Sequence, residues 1–164
     1  MPDPWYESGL SFSCSRCSAC CRGGPGFVFL AKDDLRRLLS RLSLDFPAFF
    51  ETYCILVNQG TGWAISLREK KNFDCIFWSD QGCSVYEDRP VQCSTFPFWS
   101  SIMESRMSWK EAGSDCPGIG QGELRSREHI EERLWMRRSA GMILLDDETA
   151  RSPENINADT LLGS

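Results

Sequence analysis

Residues 14 to 21 read CSRCSACC, so Cys14, Cys17, Cys20 and Cys21 place four thiols within eight residues of a 164-residue chain that has nine cysteines in all. Thiolate is the form of cysteine that binds metal, and a recurrence at every third residue lets backbone turns gather successive sulfurs around one centre. CxxC elements hold zinc in knuckles, and CxxCxxC runs hold iron-sulfur clusters. Cys21 changes the geometry. Neighbouring side chains on extended backbone point to opposite sides, so Cys20 and Cys21 can serve different metals, or different atoms of one assembly.

Working outward, Cys75 ends a predicted strand, Cys83 follows a tight turn, Cys93 follows DRPVQ and Cys116 opens CPGIG. Each stands where regular structure stops. These four with the first four make eight, enough for two four-thiolate sites or for a cluster with bridging thiolates, and spacing alone does not divide them. Cys54, at the end of a predicted aromatic helix, reads instead as a small buried hydrophobe. The competing reading is ordinary buried thiols or disulfides. An odd count leaves one cysteine over, and a reducing cytosol disfavours disulfides, so metal is the better account. Tetrahedral thiolate sites suit zinc and iron-sulfur chemistry alike. Cys116-Pro117 echoes the end of a bacterial ferredoxin run, but its distance from the first three cysteines is far too long for that motif.

Composition supports a folded protein: 41% of residues are hydrophobic, with six Trp and ten Phe among them. The length suits one core, and we expect a single domain over residues 1–145 with a flexible tail over 146–164. The formal charge of -5 argues against a nucleic-acid surface, which needs clustered Lys and Arg. With eight thiols ionised the charge would be about -13, so bound cations form a major part of the electrostatics. The start, MPDPWYESGLSFS, lacks the basic and apolar regions of a secretory signal, and no apolar run approaches bilayer length. The expectation is a cytoplasmic protein with no membrane and no nucleic-acid partner.

Along the chain, RGGPG at 22–26 reads as loop and FVFL at 27–30 as a short strand. In AKDDLRRLLSRL, Leu35, Leu38, Leu39 and Leu42 recur at helical spacing, with Asp33 and Asp34 suited to a helix N-terminus and Ala31 a poor cap. SLDFPAFFETYC predicts a second helix, capped by Ser43 or Asp45, with Pro47 in its first turn. GWAISLRE at 62–69 and FDCIFW at 73–78 predict a pair of antiparallel strands ending at the turn SDQG. The stretch from Cys83 to Cys116 is rich in Pro, Gly and aromatics and needs another organiser. ELRSREHIEERLWMRR predicts a helix over about residues 123–138. The fold class expected is therefore α+β: small, loop-rich, with a short antiparallel sheet and packed helices around a cysteine metal centre.

The combination of CSRCSACC, DCIFWSDQGCSVYEDRPVQCSTFPFW and CPGIGQG resembles the CxxCxxCC cysteine-cluster family, the YkgJ-like zinc- or iron-chelating domains. The resemblance covers about residues 12–122. It implies a metal-ligand set at Cys14, Cys17, Cys20, Cys21, Cys75, Cys83, Cys93 and Cys116, the same eight reached above. Family members carry a Thr-Pro start where this chain has Ala31-Lys32, which bears only on the helix cap. Flagellin lysine N-methylases look similar in this module but are considerably longer.

Other candidates are weaker. His129 is the only histidine, so no two-His zinc site or HExxH helix can be built, and its helical setting reads as surface or packing. GIGQG at 118–122 lacks dinucleotide-binding spacing and reads as turn. Arg22 and Arg89, next to cysteines in sequence, can offset thiolate charge, or Arg89 can simply pair with Asp88 or Glu87. Tyr86, Phe96, Phe98 and Trp99 can shield a metal from water. The function expected is a metal-binding protein, holding zinc, iron or an iron-sulfur cluster, with a structural, carrier or regulatory role. The alternative is an iron-sulfur redox or methyl-transfer-related enzyme component. A third reading is an adaptor that presents Trp99 or Trp109 to a protein partner.

Overall fold

A computed structural model describes residues 2–163. In chain order its elements are β1 (Leu10–Phe12), α1 (Lys32–Leu42), α2 (Phe46–Tyr53), β2 (Cys54–Asn58), β3 (Trp63–Leu67), β4 (Trp78–Ser79), β5 (Gly82–Cys83), α3 (Val91–Ser94) and α4 (Arg106–Ala112). They continue with β6 (Ile119–Arg125), α5 (Arg127–Ala140), β7 (Leu144–Leu145), α6 (Asp147–Ala150) and α7 (Ala158–Leu162). Short antiparallel strands beside separate helices make this a small α+β fold. Among the described residues, no helix is long and apolar enough to cross a membrane.

The chain divides into two compact units, one running to Cys20 and taking in Thr95–Ser139, the other made of Cys21–Ser94 and the chain from Ala140 on. Each has its own apolar cluster. In the first unit Phe12, Phe98, Met103, Trp109, Ile130 and Leu134 are buried together, and Phe98 stacks on Trp109 with centroids 5.7 Å apart. The pair β1–β6 forms its sheet, with Leu10 opposite Arg125 and Phe12 opposite Ile119 across a register shift. Trp5 ties the N-terminal turn down by donating its indole N–H to the Met103 carbonyl at 2.8 Å.

The second unit is built on Leu30, Leu35, Leu38, Phe46, Phe49, Ile65 and Leu67, with Ile143 and Leu145 from the returning chain. The sheet order is β2-β3-β7. The leucines of α1 are buried as their spacing predicts. Asp34 supplies what Ala31 cannot: it is buried, and its carboxylate accepts from Ala31 N at 2.9 Å, Val91 N at 2.8 Å and the Arg37 guanidinium at 2.7 Å. Ser43 closes the helix in a left-handed conformation, φ 54°, while Leu44 N donates to Leu39 O in the pattern of a Schellman end. Asp45 caps α2 by accepting from Ala48 N, and Pro47 occupies its first turn.

Several local expectations give way to pairing. The partner of β3 is β2, which begins at Cys54 directly after α2; residues 73–78 meet the end of 62–69 only through the antiparallel bridge of Cys75 with Glu69 and the bond from Ile76 N to Arg68 O at 3.0 Å. FVFL makes one isolated bridge, Phe29 with Ser66. Residues 119–125, read as a turn and a helix start, pair with β1, and the helix begins at Arg127. The stretch from 146, for which composition suggests a loose tail, carries α6 and α7. Its Ile156, Leu161 and Leu162 pack on the second cluster, and the Leu162 carbonyl accepts from Arg36 at 2.6 Å.

Candidate metal centre

The cysteines distribute unequally in depth: Cys14, Cys17 and Cys20 are exposed, Cys21, Cys75, Cys83, Cys93 and Cys116 are half-buried, and Cys54 is buried. No disulfide joins any two of them among the described residues. Cys54 starts β2 inside the second core, where burial pushes its thiol pKa up to about 12 and Arg68 only partly offsets this. A thiol so buried stays protonated and inert at neutral pH.

In the first unit, β1 delivers the motif loop. Ser13 N donates to Gly118 O at 3.3 Å and the Ser13 hydroxyl accepts from Glu123 N at 3.0 Å, so Cys14 leaves the ladder one residue past Ser13, and Cys116 lies two residues before Gly118. The loop then bends through left-handed backbone at Arg16 (φ 55°) and Ser18 (φ 67°) before a 3-10 turn over Ala19–Cys21. Non-glycine residues adopt this conformation at a cost of about 1–2 kcal/mol each. It lies at one of the two positions between Cys14 and Cys17 and at one of the two between Cys17 and Cys20. Cys116 packs on the first cluster. Burial pushes its thiol up, N–H groups of Gly118 and Ile119 donated to the sulfur pull it back, and charge on Cys17 and Cys20 pushes it up again.

Gly118 permits this approach. A Cβ at this position would overlap the Ser13 carbonyl oxygen and stand 3.1 Å from the Phe12 ring. Backbone cannot yield as a flexible side chain can, so Gly118→Ala is expected to force β1 from β6 at about 1–3 kcal/mol. For a chain of this size that lowers Tm by roughly 2–12 °C. A melt unchanged from the parent would contradict the close approach.

In the second unit, Cys75 N donates to Cys21 O at 2.8 Å and Trp78 N donates to Cys75 O at 2.9 Å. Trp78 then stands opposite Cys83 in the β4–β5 pair. Cys93 lies in α3, whose start is held by Asp34 through Val91 N and whose Gln92 side chain donates to Phe27 O at 2.7 Å and accepts from Phe29 N at 3.2 Å. The segment following Cys21 is therefore stitched to the helix that carries Cys93. Arg22 lies with its guanidinium 4.0 Å above the Trp78 ring and pairs with buried Asp74, the sequence neighbour of Cys75, at 3.3 Å. Arg89 packs 3.9 Å over Tyr86 and donates to the Tyr86 carbonyl, while Asp88 pairs with Arg41 at 3.5 Å.

The donor set fits a soft divalent metal: thiolates are ligands that both zinc and iron accept. One buried atom also fits. The Trp78 indole Nε1 is buried without a hydrogen-bond partner, on the residue paired with Cys83. Cross-strand neighbours share a face, and an orphaned N–H costs about 1–3 kcal/mol, which a metal-bound thiolate could relieve by accepting it. Among the described residues, no three His, Cys, Asp or Glu side chains already stand in metal-holding arrangement. In small metal-binding domains a thiolate site often closes only as the metal enters, because binding and local folding are coupled.

Rival sites are poorer. His129 packs edge-on against Phe98 at 5.9 Å, and burial followed by the charges of Arg133 and Arg125 holds its pKa below the usual histidine range. Trp109 is buried between Phe98 and Trp5 and offers no docking face. The cleft along α1 is lined by Arg36, Arg37, Ser40, Arg41 and Asp88 and contains no cysteine. Its guanidinium groups are already paired with Asp33, Asp34 and Asp88.

No solved structure matches this chain. The model of the CxxCxxCC family, described as a "putative zinc- or iron-chelating domain", matches residues 13–117, well over half of the sequence and a span that takes in all eight clustered cysteines; the chain belongs to that family.

Proposed function

We propose that this protein binds zinc or iron through Cys14, Cys17, Cys20, Cys21, Cys75, Cys83, Cys93 and Cys116, and serves as a structural or carrier module without turnover of its own. The observation that carries this reading is the family match over residues 13–117, which supports a metal-binding role and encloses all eight thiols. The surroundings agree with it. Cys116 receives two backbone N–H groups at sulfur, and the Arg22 guanidinium, over Trp78 and paired with Asp74, puts a positive charge on the segment that carries Cys75, as expected where negative charge collects on thiolates. The bound metal would supply a fixed crosslink between chain segments far apart in sequence. The half-buried positions of Cys75 and Cys83 would limit the access of water to it.

The match lends no support to the enzyme-component alternative, and the sole histidine, packed on Phe98, is not poised for acid-base work. The reading is tested by anaerobic purification with elemental analysis and an optical spectrum. Stoichiometric zinc in a colourless protein, or iron with thiolate-to-iron absorption, is the expected result. A protein that carries no metal and takes up neither zinc nor ferrous iron after full reduction would overturn it.

A further inference from the structure

We propose that the eight cysteines form two separate four-thiolate sites, Cys14, Cys17, Cys20 and Cys116 in one and Cys21, Cys75, Cys83 and Cys93 in the other, with the first the exchangeable site. The division rests on the reading that these cysteines are the ligands and goes beyond it by assigning each sulfur.

Three observations converge on the same division. The compact units part at the Cys20–Cys21 peptide bond, and the other six cysteines fall three to each side, with Cys116 inside Thr95–Ser139 and Cys75, Cys83 and Cys93 inside Cys21–Ser94. The apolar packing agrees: Cys116 lies against the cluster of Phe12, Phe98 and Trp109, whereas Cys75 and Cys83 lie against the cluster of Leu35, Phe49 and Ile65. The local contacts agree as well. The ladder from Ser13 to Gly118 brings Cys14 beside the Cys116 segment, and the bond from Cys75 N to Cys21 O joins the start of the second set to its middle.

Four thiolates and one divalent cation complete a tetrahedral site with no ligand left over. Two adjacent cysteines at a boundary between units suit this division, since neighbouring side chains diverge and each can face its own metal. In the first set Cys14, Cys17 and Cys20 are exposed, whereas no member of the second is. Transfer of a metal to an acceptor starts when an incoming ligand reaches the metal or a bound sulfur, so the exposed set exchanges first and the covered set holds its metal.

The test uses the full-length reduced chain loaded with zinc. About two zinc ions per chain are expected, as two closed tetrahedral sites require. The Cys14→Ser/Cys116→Ser variant and the Cys83→Ser/Cys93→Ser variant should each keep about one, and the variant combining all four changes should keep none. Zinc passed to the chromogenic chelator 4-(2-pyridylazo)resorcinol should leave the parent in two phases, with the fast phase missing from Cys14→Ser/Cys116→Ser. Loss of all zinc from either folded double variant, or a single release phase in the parent, would overturn the proposal. Should a variant fail to fold, cobalt(II) titration of the parent decides. Two isolated high-spin ions support two sites, and magnetic coupling as the second ion binds shows a thiolate-bridged cluster and overturns them. A parent that binds no zinc or cobalt fails at the earlier step, the identity of the ligands.

Discussion

Stripping the metal with EDTA under reducing conditions is expected to abolish the fixed tertiary structure of the first unit and to lower the Tm of the whole chain by tens of degrees. Thiolate-bound structural zinc contributes an apparent free energy of about 10 kcal/mol or more, comparable with the entire net stability of a domain of this size. On the proposed ligand set the first unit should depend on it most. Its buried cluster is the smaller of the two, and the loop from Cys14 to Cys20 holds left-handed backbone at Arg16 and Ser18 without a packed core beneath three exposed cysteines. Four uncompensated thiols would then favour release of the loop. The second unit buries Phe46, Phe49, Leu35, Leu38 and Ile65 completely and should retain more structure. Near-ultraviolet circular dichroism and amide exchange check this, with protection lost first around Phe12 and Ile119. Removal of metal with no change in melting or exchange would contradict a folding role for the ion.

How far these features were legible in the sequence depends on whether a local pattern or a distant partner decides each one. The leucine spacing of α1 and the Asp45-Pro47 start of α2 are local, and both helices form where they are expected. The strand β2 is hidden because CILVN follows an aromatic helix with no breaker between them; its fate depends on pairing with β3. Glu123, Leu124 and Arg125 have helix-forming character, yet β1 captures them as strand, and Arg125 donates to the Phe12 carbonyl at 3.0 Å. The eight clustered cysteines stand out in the sequence by their number and spacing. Their division does not, because Cys20 and Cys21 are neighbours in sequence while the chain contacts that separate them lie dozens of residues away.

Asp34 joins these two scales, since one buried carboxylate caps a helix locally and fixes the segment that carries Cys93. Asp34→Ala is expected to destabilise the protein by about 3–5 kcal/mol. Ala31 N and Val91 N are both at buried residues, and each loses its acceptor at a cost of about 1–3 kcal/mol. Arg37 loses its partner as well, although its side chain is partly exposed and water recovers most of that interaction. The expected fall in Tm is roughly 6–20 °C. Asp34→Asn should recover only part of it, because one carboxylate oxygen becomes an N–H group that faces another donor. The effect should also reach the metal. Val91 begins α3, so its release loosens Cys93 and should speed loss of zinc from the covered set while leaving the exposed set as it was. Thermal melts with zinc saturated, paired with release to a chromogenic chelator, separate the two effects. A Tm within about 2 °C of the parent would show that the three bonds to Asp34 carry far less than buried hydrogen bonds of this kind should.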